Sequence, residues 1–260
     1  NLHMIKIEPI KAFSDNYIWL VTTNEGLLVV DPGDASPVEA YLKDNSRYLS
    51  NILITHHHFD HTGGVETLVK NNSLDVYGPT NSIFGGINKE LKEGDEVNII
   101  GIDFSIIEIP GHTLDHIAFF AENNGDPFLF CGDTLFAGGC GRIFEGTFEQ
   151  MFESLSKLSK LPLNTKIYCG HEYTLSNLAF ALEVDKSNQA LVQRYKLCNE
   201  SRNKNIPTIP STLEIEFETN PFLRCHTKNI QDCIMQKFNF KEIPSDMEIF
   251  KATREWKDNA

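Results

Sequence analysis

The chain has 260 residues, 41% hydrophobic and 23% charged, which is the balance of an ordinary soluble globular protein with one large domain, or one domain and a small appendage. A formal net charge of −13 excludes nucleic acid or an anionic membrane as the main partner, because both demand a basic surface. No apolar run approaches bilayer length, no secretory signal is visible, and six cysteines without Cys-x-x-Cys spacing predict reduced thiols in a cytoplasmic protein.

Residues 1–3, ahead of Met4, read as an appendage to a native start, so His3 is expected to take no part in metal binding. Strand-like runs follow at 5–9, 17–22 and 26–30. Ser36, Pro37 and Glu39 combine an N-cap, a first-turn proline and a capping-box acid, which predicts a helix there. Further strands are expected at 52–55, 97–100, 103–109, 117–121, 128–131 and 166–169. Between the last two, Thr147 and Gln150 form a capping box ahead of Phe148, Met151, Phe152, Leu155 and Leu158, an apolar stripe that reads as core packing. Cys131 and Cys169 lie in strand-like runs and read as small buried side chains. Up to about Cys169 the pattern is that of a layered α/β fold. Beyond His171, helical periodicity takes over through Leu175, Leu178, Ala179 and Leu182, and again through 187–203. Residues 205–210, with prolines at 207 and 210, read as a connector, and Ser245 with Glu248 opens a last helix reaching about Lys257. The expected division is a metal-binding catalytic domain over 1–172 and a helical substrate-binding domain over 173–260.

Residues 56–61 hold four histidines and an aspartate. Imidazole and carboxylate are the ligands that zinc, iron and manganese accept. Read as an extended run, the segment would turn His56, His58 and Asp60 to one side and His57 and Phe59 to the other, with His61 just past its end. Other candidate ligands stand beyond strand-like runs: His112 after Gly111, Asp133 after Gly132, His171 after Gly170. Loops at strand ends are where sites assemble in layered α/β folds, and glycine permits the close turn that aims a side chain back into a cleft. A lone histidine is more often structural, but four such strand ends together point to one centre.

Seven candidate ligands suit two divalent cations better than one. His56, His58 and His112 would hold the first, and Asp60, His61 and His171 the second, with Asp133 and a solvent oxygen bridging them. A hydroxide held there would be the nucleophile for hydrolysis of an ester-like or amide-like bond. Zinc is the expected metal, with iron or manganese accepted. His57 and His116 are assigned supporting roles.

With these residues in view, the chain resembles the metallo-β-lactamase superfamily and, within it, the glyoxalase II (hydroxyacylglutathione hydrolase) family. The resemblance runs through residues 55–64, Asp31-Pro32-Gly33-Asp34, Gly111-His112-Thr113, Gly132-Asp133-Thr134-Leu135-Phe136, Gly138-Gly139-Cys140-Gly141-Arg142, Gly146-Thr147, Gly170-His171-Glu172-Tyr173-Thr174 and Asn220-Pro221-Phe222-Leu223-Arg224. It implies an αββα sandwich with a small C-terminal helical domain. It also implies hydrolysis of S-(2-hydroxyacyl)glutathione, chiefly S-D-lactoylglutathione, to glutathione and D-lactate, in the second step of methylglyoxal detoxification. By the same resemblance Arg142, Phe144, Tyr173, Arg254 and Lys257 would contact glutathione, and Asp31 would orient a ligand imidazole. Animal members usually carry lysine and tyrosine where this chain has Arg142 and Phe144, so weaker glutathione binding is expected, by about 1 kcal/mol for the missing hydroxyl. The partner is then a small-molecule thioester, and a monomer is expected. Two alternatives remain: a glutathione persulfide dioxygenase of the same superfamily, which would not need the complete second site, and a non-catalytic metal-stabilised binding protein.

Overall fold

A computed structural model describes residues 4–260; residues 1–3, and with them the expectation for His3, lie outside the described residues. The first sheet is built from β1 (Lys6–Ala12), β2 (Asn16–Thr22), β3 (Leu27–Val30), β4 (Asn51–Leu53), β5 (Asp75–Pro79) and β6 (Lys89–Leu91), in that spatial order. Its first three strands are antiparallel, and β3 to β6 run parallel. Helices α1 (Ala35–Asp44), α2 (Phe59–Thr62) and α3 (Val65–Asn71) lie in its connections.

The second sheet takes β7 (Glu96–Ile99), β8 (Ile102–Glu108), β9 (Ile117–Asn123) and β10 (Asp126–Gly132). A small hairpin, β11 (Leu135–Phe136) with β12 (Gly139–Cys140), and helix α4 (Phe148–Leu158) lead to β13 (Lys166–Cys169). Helices α5 (Thr174–Val184) and α6 (Gln189–Asn203) precede the edge strand β14 (Ser211–Thr212), and α7 (Leu213–Thr219), α8 (Lys228–Phe238) and α9 (Asp246–Asp258) finish the chain. The order across this sheet is β14-β13-β10-β9-β8-β7, with β10 and β13 parallel.

Alternation within the strands explains the layers. In β2, Ile18 and Leu20 pack with Val38 and Leu42 of α1 and Val65 and Leu68 of α3. Trp19 and Val21 face the other way, into a core shared with Phe104, Phe119 and Phe130 of the second sheet. Both faces are covered, so β3 is buried at every residue and its sequence is one apolar run. Beyond the second sheet, Met151, Leu155 and Leu158 of α4 and Phe250 of α9 join the same core. The result is the expected αββα sandwich followed by helices.

The helical part is fastened to the β11–β12 hairpin through buried polar groups. Glu216, fully buried, accepts from Arg194 Nη2 at 2.6 Å and from the Gly138 amide at 2.7 Å. Asn220 Nδ2 donates to Gly139 O at 2.9 Å. These contacts satisfy groups that burial would otherwise penalise.

Three expectations need correction. The first helix is capped by Asp34, whose side chain accepts from the Ser36 amide, so Ser36 lies inside it. Strands β5 and β6, short and carrying Gly78 and Pro79 or only three residues, had no readable strand signal. The segment 56–60 is not one extended run either: the chain turns at His58, the N-cap of α2, and Asp60 and His61 sit on that helical turn.

Candidate metal centre

Each candidate ligand leaves a strand end on the same side of the sandwich: His56 after β4, His112 after β8, Asp133 after β10 and His171 after β13. Gly111 (φ 152°) and Gly132 (φ 49°) take backbone conformations open mainly to glycine, which lets the chain turn back into the cleft. Gly170 has a different reason for being glycine. A Cβ there would stand 2.5 Å from Asp133 Oδ1 and 2.7 Å from His61 Cε1.

Two clusters result. The ligand atoms of His56, His58 and His112 lie within 4.8 Å of one another, and so do those of Asp60, His61 and His171. His112 Nε2 is 3.1 Å from His58 Nδ1. Asp60 Oδ2 is 3.3 Å from both His61 Nε2 and His171 Nε2. Asp133 stands between the clusters: its Oδ2 is 3.4 Å from His112 Nε2, 3.2 Å from His171 Nε2 and 4.0 Å from His56 Nε2, and its Oδ1 is 3.3 Å from His61 Nε2. A cation about 2.1 Å from each ligand atom separates neighbouring ligands by roughly 3–3.5 Å, which matches these edges except the longer one from Asp133 to His56.

Every histidine in this set except His58 has its far nitrogen engaged. His56 Nδ1 donates to Thr55 Oγ1 at 3.0 Å, His61 Nδ1 to Asp31 Oδ2 at 3.0 Å, His112 Nδ1 to Arg142 O at 2.6 Å and His171 Nδ1 to Asp15 Oδ1 at 2.8 Å. With Nδ1 protonated, each ring turns an Nε2 lone pair to the centre. Asp31 also comes close to His56, but its oxygens are taken by the Thr55 amide (2.8 Å), the Thr55 hydroxyl (2.6 Å) and His61. His116 accepts the Asp133 amide on Nε2 at 3.1 Å and donates from Nδ1 to Ile117 O. Burial, with the charge of His112 next, drops its pKa to about 3, so it stays neutral. His57 turns outward and meets Glu145 Oε1 at 2.5 Å.

Electrostatics divides the clusters. Burial holds His56 well below the ordinary imidazole range, and lowers His58 and His112 as well. For His61 and His171 burial acts in the same direction, yet Asp133, with Asp31 and Asp60, outweighs it; His61 is raised well above its usual value and His171 is pushed up to about 10. Burial would raise Asp133, but His61 and His171 hold it well below the carboxylate range. The second cluster therefore has a strong demand for positive charge. His56 Nε2 and Asp133 Oδ1 are buried without a hydrogen-bond partner, an arrangement that is costly unless something else satisfies them. Donor chemistry, spacing and these orphaned atoms all fit divalent cations.

The residues expected to contact substrate approach from two sides. Phe144, 61% exposed, sets its ring edge-on to His58 and His112, with centroids 5.8 and 5.3 Å away. Tyr173 stacks on His171 at 4.6 Å, and burial followed by Asp15 raises its phenol pKa. Arg142 is exposed, its Nε 3.3 Å from Asp258 Oδ1 and its Nη2 donating to Asp258 O at 3.1 Å. Lys257 is half-buried and donates to Asn177 Oδ1; burial and then Arg254 pull its pKa down to about 8. Arg254 differs from a solvated cation on a helix face: it is 4% exposed and bonds Cys140 O at 2.7 Å and Asp258 Oδ1 at 2.9 Å.

Sequence reading did not find Thr55, Asp15 and Asn16 as neighbours of the ligands. Asn16 Nδ2 donates to Asp60 Oδ2 at 3.0 Å and to Asp60 O at 3.2 Å. The only signal they offered was polarity next to apolar strands. Cys131 and Cys169 are buried as expected, and burial pushes the Cys169 thiol up to about 12. Among the described residues no helix is long and apolar enough to cross a membrane.

Residues 13–171 match the metallo-beta-lactamase superfamily, and residues 172–260 match the hydroxyacylglutathione hydrolase C-terminus. The chain is 49% identical over 259 residues to the hydroxyacylglutathione hydrolase of Photobacterium profundum, covering 98% of this chain and 100% of that one. It is 45% identical over 258 residues to that of Nitrosomonas eutropha, covering 98% and 99%. Among solved structures, ETHE1 from Myxococcus xanthus shares the fold at 23% identity with a TM-score of 0.64, over 98% of this chain and 99% of that one. TTHA1623 in a di-iron-bound form is 28% identical with a TM-score of 0.53, over 63% of this chain and 91% of that one. The candidate ligands at the strand ends, the aspartate between their two clusters and the helical C-terminus thus occur together in a chain that belongs to the hydroxyacylglutathione hydrolase family, on a metallo-β-lactamase fold.

Proposed function

We propose that the chain hydrolyses S-(2-hydroxyacyl)glutathione, S-D-lactoylglutathione foremost, to glutathione and a 2-hydroxy acid, the second step of the glyoxalase route for methylglyoxal. The observation that carries this reading is the Asp133 carboxylate lying between two complete ligand clusters. His56, His58 and His112 would hold one cation, Asp60, His61 and His171 the other, and Asp133 would serve both. Zinc is the metal we assign, with iron or manganese accepted by the same donors; the di-iron form of the related structure supports a binuclear centre. Bound there, the cation pair acidifies water and polarises the thioester carbonyl.

The chain's own residues do the rest. Thr55, Asp31, the Arg142 carbonyl and Asp15 keep the ligand rings in one tautomer, and His116 fixes the Asp133 backbone. Phe144 and Tyr173 line the approach beside His112 and His171. Arg142 and Lys257 grip the carboxylates of glutathione, and Arg254 adds buried positive charge beside them. A thiolate leaves readily, so no dedicated general acid is demanded. We divide the chain at 172/173 into a metal-binding catalytic domain and a helical substrate-binding domain, and assign it as a monomer in the cytoplasm. A one-iron persulfide dioxygenase would leave Asp60, His61 and His171 without a task.

Purified, cation-loaded protein is expected to release free thiol rapidly from S-D-lactoylglutathione without oxygen, and a chelator-treated sample is expected not to. No release from protein shown to hold two cations would sink the thioesterase reading. Lys257 adds a pH signature. Its depressed pKa means it is charged below about 8 and neutral above, so substrate capture is complete at lower pH and is lost as pH rises through about 8. KM should climb there towards a plateau roughly 10–100-fold higher, the worth of one charge-assisted hydrogen bond. Lys257→Gln should show the high KM at every pH; a parent-like rise in that variant would remove Lys257 from substrate binding.

A further inference from the structure

The turn between β1 and β2 does more than reverse the chain. Phe13 to Asp15 form the turn, Phe13 with φ of 52°, and Asn16 opens β2. Here the first sheet is stitched to the end of the second: Asn16 bridges His171, the Tyr17 amide donates to Gly170 O at 2.9 Å, and the Glu172 amide donates to Asp15 O at 2.9 Å. Backbone bonds on both sides of His171 thus hold Asp15 in place, and its Oδ1 meets His171 Nδ1 at 2.8 Å. One residue on, Asn16 takes Asp60 by both its carboxylate and its main-chain carbonyl.

Asp60 needs such a hold. Its side chain is 41% exposed, and it sits on the four-residue helix α2, which is too short to be stable by itself. His56, by contrast, stands three residues past β4 and is fully buried, and the turn makes no hydrogen bond to His56, His58 or His112 among the bonds described.

We propose that the β1–β2 turn is the positioning device of the second cation: Asp15 orients His171, Asn16 orients Asp60, and together they set occupancy of the second site independently of the first. This rests on reading Asp60, His61 and His171 as a cation site. A partner that fixes ring orientation or carboxylate rotamer is typically worth 10–100-fold in metal affinity.

The test is stepwise zinc affinity, measured by competition with a chromophoric chelator on the full metal-free chain, for the parent, Asp15→Ala, Asp15→Asn, Asn16→Ala and the exposed control Ser14→Ala. The parent and Ser14→Ala should bind two zinc ions. Asp15→Ala and Asn16→Ala should both lose roughly 10–100-fold at the same one of the two steps and less than about twofold at the other. Asp15→Asn keeps an acceptor for Nδ1 and should recover much of the loss, even if the alanine variant folds poorly. Two affinities unchanged in both alanine variants, or equal losses at both steps in protein with parent-like circular dichroism, would overturn the proposal. A parent that binds a single zinc would instead refute the binuclear reading.

Discussion

Asp133→Ala should reduce kcat/KM by roughly 10²–10⁴-fold and bring cation content below two per chain. The side chain is buried, and its oxygens lie within 3.4 Å of His61, His112 and His171, so one carboxylate serves both clusters. No other acceptor is placed between His112 and His171 among the contacts described. Removing one partner of a buried charge pair costs about 3–5 kcal/mol, because the remaining charges stay in a site that no longer compensates them; at about 1.4 kcal/mol per tenfold this gives the stated range. The main-chain bond from the Asp133 amide to His116 survives the substitution, so the strand end should stay in place. Metal analysis and turnover on the same preparation decide the matter. Two retained cations with near-parent turnover would show that Asp133 does not bridge.

Most of the candidate ligand set was legible because it is local. Residues 56–61 cluster in sequence, and Gly111, Gly132 and Gly170 mark the other three positions. The alternation argument nonetheless gave that segment the wrong backbone: it turned Asp60 to the side of His56 and His58 on one extended run, whereas the chain turns at His58 into a short helix, and it is this turn that groups Asp60 with His61 and His171. A polar run without its own apolar periodicity gives no warning of a four-residue helix. Asp15 and Asn16 were illegible for another reason. They reach His171 and Asp60 across 156 and 44 residues, so only the stitched sheet ends bring them there. The first cap was read two residues late because Ser36 and Glu39 match the capping-box spacing, while Asp34 caps equally well by residue type. The burial of Arg254 was not legible in the sequence; the helix that bears it packs against α4, and its guanidinium reaches inward to Cys140 O.

The Arg142 segment joins the candidate metal centre to the last helix. Its carbonyl orients His112 while its guanidinium reaches Asp258 at the end of α9, the same carboxylate that holds Arg254. A shift of α9 on binding substrate would therefore be felt at a cation ligand through one residue. That continuity is physical contact, from helix to side chain to main chain to imidazole.

Gly170→Ala, a single added methyl, should weaken the second cation site by roughly 5–150-fold and reduce turnover in step, the equivalent of about 1–3 kcal/mol of overpacking. Gly170 is not among the residues with positive φ, so alanine meets no backbone penalty there and the effect is steric. The new Cβ would lie 2.5 Å from Asp133 Oδ1 and 2.7 Å from His61 Cε1. The backbone cannot retreat easily, because the Gly170 amide donates to Gly132 O at 2.8 Å and its carbonyl accepts from Tyr17 at 2.9 Å. So a ligand must move. Displacing Asp133 pulls it from between the clusters, and displacing His61 breaks its bond to Asp31. Gly85→Ala is the matched control: nothing lies within 4 Å of its Cβ, and its φ is not positive. Stepwise zinc affinities of the two variants should diverge while their circular dichroism stays alike. If Gly170→Ala binds two cations as tightly as the parent, the packing around Asp133 has slack, and Gly170 does not hold Asp133 between the clusters.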